Sequence, residues 1–160
     1  MINQTNLSYK MKKLAMVMKF PTPWKVLFKR GTNIPVKAFV EEKSFLDYIG
    51  IACNRSIAFD AKSTKELTRF PLNNVKPHQV ELMEEWTRQN GLAFILVYFE
   101  KKDEIYFLEY DFIKKYWDDS INGGRKSIPY EDIKNTCEKV RPTIRGIVDY
   151  LEVIEKKGEY

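Results

Sequence analysis

The sequence contains one histidine and two cysteines, Cys53 and Cys137, with no ligand spacing among them, which excludes a structural zinc site. Two scattered cysteines also make no disulfide framework, so reduced thiols in a cytoplasmic protein are expected. Glycine and proline number seven each, too few for a collagen-like or low-complexity chain. No apolar run reaches membrane-spanning length, and the longest, GLAFILVYF at 91–99, has the length of a buried strand. The opening MINQTNLSYK lacks the basic-then-apolar order of a signal peptide, and Lys19 and Pro21 cut short the apolar stretch after Met11-Lys12-Lys13. There is no internal repeat and no linker. The 160 residues are therefore expected to form a single domain with a substantial core.

Acid is missing from the first quarter of the chain. Residues 1–40 carry eight basic side chains (Lys10, Lys12, Lys13, Lys19, Lys25, Lys29, Arg30 and Lys37) and no Asp or Glu, the first carboxylate being Glu41. The other 120 residues hold 19 basic and 22 acidic side chains, so the net charge of +5 is concentrated at one end. Such asymmetry suits a polyanion, whose phosphates lysines neutralise with release of counterions. Phe20, Trp24, Phe28 and Phe39 interleave the charges, which favours nucleic acid over an ordinary solvated basic face.

What is present reads as a mixture of strands and helices. Residues 2–10 suit the tail of a helix, and LAMVMKF (14–20) a strand stopped by Pro21. WKVLF (24–28) and PVKAFV (35–40) flank Arg30-Gly31-Thr32-Asn33 as a long basic hairpin. LDYIGIA (46–52) and SIAFDAK (56–62) form a second hairpin across Cys53-Asn54-Arg55. Pro77 suits the first turn of a helix running to about Gln89 and ended by Asn90-Gly91. Two strands, GLAFILVYF and EIYFLEY, turn at 101–103. Helices are expected from Tyr110 to before Ser120 and around 147–157, with the basic loop NGGRKSIP (122–129) between them. Together these elements predict an α/β domain.

The chemistry is concentrated in IAFDAK (57–62). Alternate side chains of a strand point to opposite faces, so Ile57, Phe59 and Ala61 share one and Ala58, Asp60 and Lys62 the other. The pair reads either as an internal ion pair or as one half of a phosphodiester-hydrolysing site, which needs oxygen ligands for Mg²⁺ and a cation near the water or phosphate. Asp47 opens the preceding strand, where a hairpin brings it near Asp60. Asp, a dozen residues, then Asp-Ala-Lys has the form of the PD-(D/E)XK nuclease core. On the following helix Gln79 shares a stripe with Leu82, Met83 and Trp86, and a core-facing amide must find a partner, either at the site or on a strand backbone. Trp86 and Trp117 are expected in the core rather than as stacking platforms.

FPTPWKV (20–26), DYIG (47–50), FDAKSTK (59–65), FPLNNVKPHQ (70–79), AFILVYF (93–99) and GRKSIP (124–129) resemble, in order and spacing, the successive blocks of the RecU family of Holliday junction resolvases. The resemblance covers nearly the whole chain. It implies a restriction-endonuclease-like mixed β-sheet flanked by helices, with a protruding basic hairpin stalk at about 21–42 that enters the junction. It implies a homodimer making symmetric, Mg²⁺-dependent nicks in four-way or branched DNA, with Mn²⁺ as a substitute. Carried over by position, Asp47, Asp60 and Gln79 correspond to the metal ligands, joined by the Ala61 carbonyl, and Lys62 to the lysine that stabilises the transition state. The DNA contacts would come from Lys19, Lys25, Lys29, Arg30, Lys37, Lys65, Lys76, Arg125 and Lys126. Three departures stand out: Asp60 replaces the usual glutamate, Phe45 replaces a threonine two residues before the first aspartate, and the family's first-helix glutamate has no counterpart. Departures of this kind would suit a phage-encoded member. They also leave open a non-catalytic module that binds junctions or regulates a recombinase partner, or a nuclease of another specificity.

Overall fold

A computed structural model describes the chain except residues 22, 23, 41–44, 143–147, 159 and 160, and the side chains of 24–26, 38–40 and 158. Its centre is a six-stranded mixed sheet in the order β1-β4-β5-β7-β8-β10. These strands are β1 (Ala15–Lys19), β4 (Tyr48–Ala52), β5 (Arg55–Thr64), β7 (Leu92–Phe99), β8 (Glu104–Glu109) and β10 (Glu138–Val140). Neighbours are antiparallel except β5 and β7, which run parallel from Ile57↔Leu92 to Thr64↔Phe99. Parallel neighbours need a crossover, and helix α2 (Pro77–Arg88) provides it. Cys53 and Asn54, both at positive φ, make the tight turn of the β4–β5 hairpin. Gly50 lets β1 lie close against β4: a Cβ there would fall 2.2 Å from the Met16 carbonyl oxygen.

The period-two alternation of β5 divides the core into two layers. Ala58 faces a layer with Ile95 and Leu108 of the sheet and with Val80, Met83, Ile113 and Ile133, carried by α2, α3 (Tyr110–Ile121) and α4 (Tyr130–Thr136). Ile57 and Phe59 face the other, under α1 (Ile2–Met11) and α5 (Tyr150–Gly158). There Tyr48, Phe59, Phe94 and Phe107 stack across four strands, with ring centroids 4.8, 4.6 and 4.0 Å apart. The two outer helices are tied together: the Tyr9 hydroxyl donates to Asp149 at 2.9 Å, and Tyr150 donates to Asn6 at 2.6 Å. Trp86 and Trp117 are half-buried against the first layer, as expected of core aromatics.

The basic hairpin forms where the sequence suggests. β2 (Trp24–Phe28) and β3 (Pro35–Val40) pair with each other as a separate two-stranded sheet, with a register irregularity at Leu27/Phe28. Lys29, Arg30 and Lys37 are exposed on it, together with Phe28, Ile34 and Val36. The base of the expected stalk, at 22, 23, 41 and 42, lies outside the described residues, as does the Lys25 side chain. Four small elements have no counterpart in the sequence reading. β6 (Arg69–Pro71) pairs with β9 (Ser127–Pro129), and α4 and β10 complete the far edge. The last helix begins at Tyr150 rather than near 147. Among the described residues no helix is long and apolar enough to cross a membrane.

Candidate active site

Asp60 lies in the middle of β5, flanked by β4 and β7, and is fully buried. Tyr48 pairs with Phe59, so the antiparallel register carries Asp47, just before β4, to the level of Asp60. The Asp47 carbonyl accepts the Phe20 N–H at 2.8 Å, which fixes that position beyond the end of β1. Two carboxylates thus meet across adjacent strands, where like charges destabilise one another. The consequence is visible at Asp47, whose carboxyl is pushed up to about 6, first by burial and then by the Asp60 carboxyl beside it. The charges of Lys62 and Lys19 pull in the opposite direction.

Lys62, two residues along the same face, places its Nζ 2.8 Å from Asp60 Oδ2. Gln79 donates from Nε2 to the same oxygen. Its position is set by its helix: as the third residue of α2, behind Pro77, it returns its Oε1 to the Lys76 N–H at 3.0 Å. The expected glutamine ligand therefore turns its nitrogen towards the site and uses its oxygen to cap a helix. As arranged, Gln79 orients Asp60 rather than offering an oxygen ligand.

Among the described residues Asp60 Oδ1 has no hydrogen-bond partner although it is buried. An orphaned carboxylate oxygen in a buried carboxyl that also repels a neighbouring one is a poor arrangement by itself, since an unsatisfied buried acceptor costs about 1–3 kcal/mol. It fits a hard divalent cation, which takes oxygen ligands and cancels the like charge. The donor set is small: no group of three or more His, Cys, Asp or Glu side chains occurs among the described residues. Among the described residues, Asp47 and Asp60 are the two carboxylates on offer, with a backbone carbonyl and solvent water to complete a coordination shell.

The remaining basic candidates fall into distinct places. Lys19 ends β1 beside Asp47, and Lys76 precedes α2 with its Nζ 3.5 Å from the Asn73 carbonyl. Lys29, Arg30 and Lys37 stand on the hairpin, while Lys65, Arg125 and Lys126 line a cleft beyond the end of β5. An aromatic wall is the feature that the sequence reading missed. The Phe45 ring lies 4.9 Å from Phe20 and 6.3 Å from Trp86, edge-on to the latter. Phe45 stands out from the sequence only as an absent threonine, and its packing depends on chain segments far apart.

With this geometry in place, the chain can be set beside known proteins. The model of the family described as RecU, recombination protein U, matches residues 1–156. The Holliday junction resolvase RecU of Oceanobacillus iheyensis is 35% identical over 159 residues, covering 97% of this chain and 81% of the relative. The protein of the same name from Bacillus subtilis is 34% identical, over 97% and 76%. That of Limosilactobacillus reuteri is 34% identical, over 97% and 78%. Among solved structures, Hjc, a Holliday junction resolvase from Archaeoglobus fulgidus, aligns with 69% of this chain and 75% of its own at a TM-score of 0.42 and 14% identity.

Proposed function

Because the chain belongs to the RecU family of recombination proteins, we propose that it is a structure-specific endonuclease that nicks four-way DNA junctions by phosphodiester hydrolysis. The observation that carries this reading is the pairing of Asp47 with a fully buried Asp60 that keeps one oxygen unpartnered beside Lys62. Asp47, Asp60 and the Ala61 carbonyl are the groups that would hold Mg²⁺ or Mn²⁺. When bound, such an ion supplies charge stabilisation to the phosphate and acidifies the attacking water.

The chain's own residues do the rest. Gln79 holds one oxygen of the Asp60 carboxylate and leaves the other free for a ligand. The Lys62 ammonium, part-exposed at the rim, orients the water or neutralises charge developing on the phosphate. The basic hairpin meets the DNA at the branch.

A homodimer would match the two-fold symmetry of a junction and yield paired nicks. Met16, Met18 and Ile51 support it, each more than half exposed on one face of the edge strand β1 and its neighbour β4. Among the described residues, α2 packs on β5 and β7 and leaves this face bare.

One observation favours a second reading. The Phe20–Phe45–Trp86 wall stands where the family pattern has a polar residue, as it would in a module that binds junctions without cutting them. Cleavage of a mobile four-way junction with and without Mg²⁺ decides between the two. The nuclease reading expects paired, Mg²⁺-dependent nicks, reduced at least about 100-fold in Asp60→Asn and Lys62→Ala with junction binding retained. Binding by the wild type with no cleavage in Mg²⁺ or Mn²⁺ would leave the binding module.

A further inference from the structure

A cleft of about 870 Å³ opens at Ser63 and Thr64, the last two residues of β5, just past Lys62. Lys65, Arg69, Arg125 and Lys126 line it against two carboxylates, Glu66 and Glu100. Arg69 is paired with Glu66 at 3.5 Å. Among the described residues Lys65, Arg125 and Lys126 make no ion pair, so uncancelled positive charge faces one space.

The wall that carries Arg125 and Lys126 is held in place by several contacts. β9 pairs with β6, and the Leu72 N–H donates to the Lys126 carbonyl at 3.2 Å. Asp119, in the last turn of α3, accepts twice: its carbonyl takes the Gly124 N–H at 2.8 Å and its carboxylate the Arg125 N–H at 3.2 Å. A Cβ on Gly124 would lie 2.2 Å from that carboxylate, so only glycine lets this clamp close. The two cations are thus presented by a braced segment rather than by a free loop.

Building on the junction-nuclease reading, we propose that this cleft grips three phosphates of the cut strand, the first about three nucleotides from the scissile phosphate. Three extended residues separate Lys62 from Lys65, roughly 10 Å of strand. A DNA strand carries one phosphate per about 3.4 Å of helix axis, so the same distance spans about three nucleotides. Lys65, Arg125 and Lys126 make the contacts, and Asp119 is the positioning residue that aims the last two.

Junction binding measured against KCl concentration, in Ca²⁺ so that no strand is cut, tests this. Each phosphate contact contributes about 0.9 to the slope of log K against log [KCl]. Arg125→Ala/Lys126→Ala is expected to flatten the slope by about 1.8, at an unchanged melting temperature. Lys65→Ala, outside β9 in the chain, repeats the test with a change of about 0.9. Single methylphosphonates placed one to five nucleotides from the branch are expected to include one that weakens wild-type binding and leaves the double variant unaffected. Asp119→Ala gives a test of sign. Removing a carboxylate near DNA ordinarily tightens binding, whereas loss of the clamp is expected to weaken it several-fold. An unchanged slope, a phosphate scan without coupling, or tighter binding by Asp119→Ala overturns the proposal. All three readouts are binding measurements, so they report on the cleft even if the wild type proves unable to cut in Mg²⁺.

Discussion

Asp60 is the residue on which the site turns, and its side of the strand was legible from alternation alone. Less legible was what its two oxygens would meet. Gln79 reads from the sequence as core-facing, and it is, but only the helix geometry shows its oxygen returned to the Lys76 N–H. The Asp47–Asp60 contact yields a direct prediction in the metal-free protein. Burial is the first cause of the raised Asp47 value and the Asp60 carboxyl the second, so Asp60→Asn removes the second and keeps the first. The Asp47 titration midpoint, followed by carboxyl NMR, is expected to fall from about 6 while staying above the ordinary 3.8. An unchanged midpoint would mean that the two carboxyls do not face each other. The sign for stability follows. A carboxyl raised on folding holds its proton more tightly in the native state, so this group costs stability as pH rises from about 4 to about 6.

Among the elements, long periodic ones were readable and short ones were not. Both hairpins, the crossover helix and the β7–β8 pair announce themselves by alternation, a helical stripe or turn residues. β6, β9 and β10 have three residues each, too few to show a period, and are recruited by pairing with distant segments. A buried-edge cluster holds that recruited region together. Glu104, opening β8, accepts from the Tyr130 hydroxyl at 2.6 Å, from the Tyr106 hydroxyl at 2.9 Å and from Lys139 Nζ at 2.6 Å, joining α4 and β10 to the sheet. Its carboxyl is held down to about 2, first by Lys139 and then by Tyr130. A lowered carboxyl stabilises the fold above its unfolded value, and that contribution fades as pH falls through the folded one. Glu104→Gln is expected to lower stability by about 1–2 kcal/mol at pH 7, after discount for solvent screening. In urea melts the gap to wild type is expected to narrow below pH 4.5 and close near pH 2. A gap independent of pH would remove the charge from this account.

At the scale of the whole molecule, the sequence pointed to polyanion binding through a basic first quarter; the fold sets Lys29, Arg30 and Lys37 on the hairpin and Lys19 beside the site, while the cleft draws its cations from later segments. It gave no hint of an interface, because exposure of Met16, Met18 and Ile51 depends on which strand ends up at the edge. If that face joins two copies, Met16→Asp/Met18→Asp is expected to shift the mass measured by light scattering from dimer to monomer and to replace paired nicks by single ones. A dimer of unchanged mass would place the interface elsewhere.

The pairing of α1 with α5 has a further consequence, one of folding order. Tyr150, Leu151 and Ile154 close the layer over Phe59 and Phe94, and the Tyr150–Asn6 hydrogen bond that ties the two helices joins residues 144 positions apart. Until that distant contact forms, the strand that bears Asp60 has one apolar face uncovered, and closing so long a loop carries an entropic cost. The strand at the centre of the site is therefore sealed by one of the most non-local contacts in the fold.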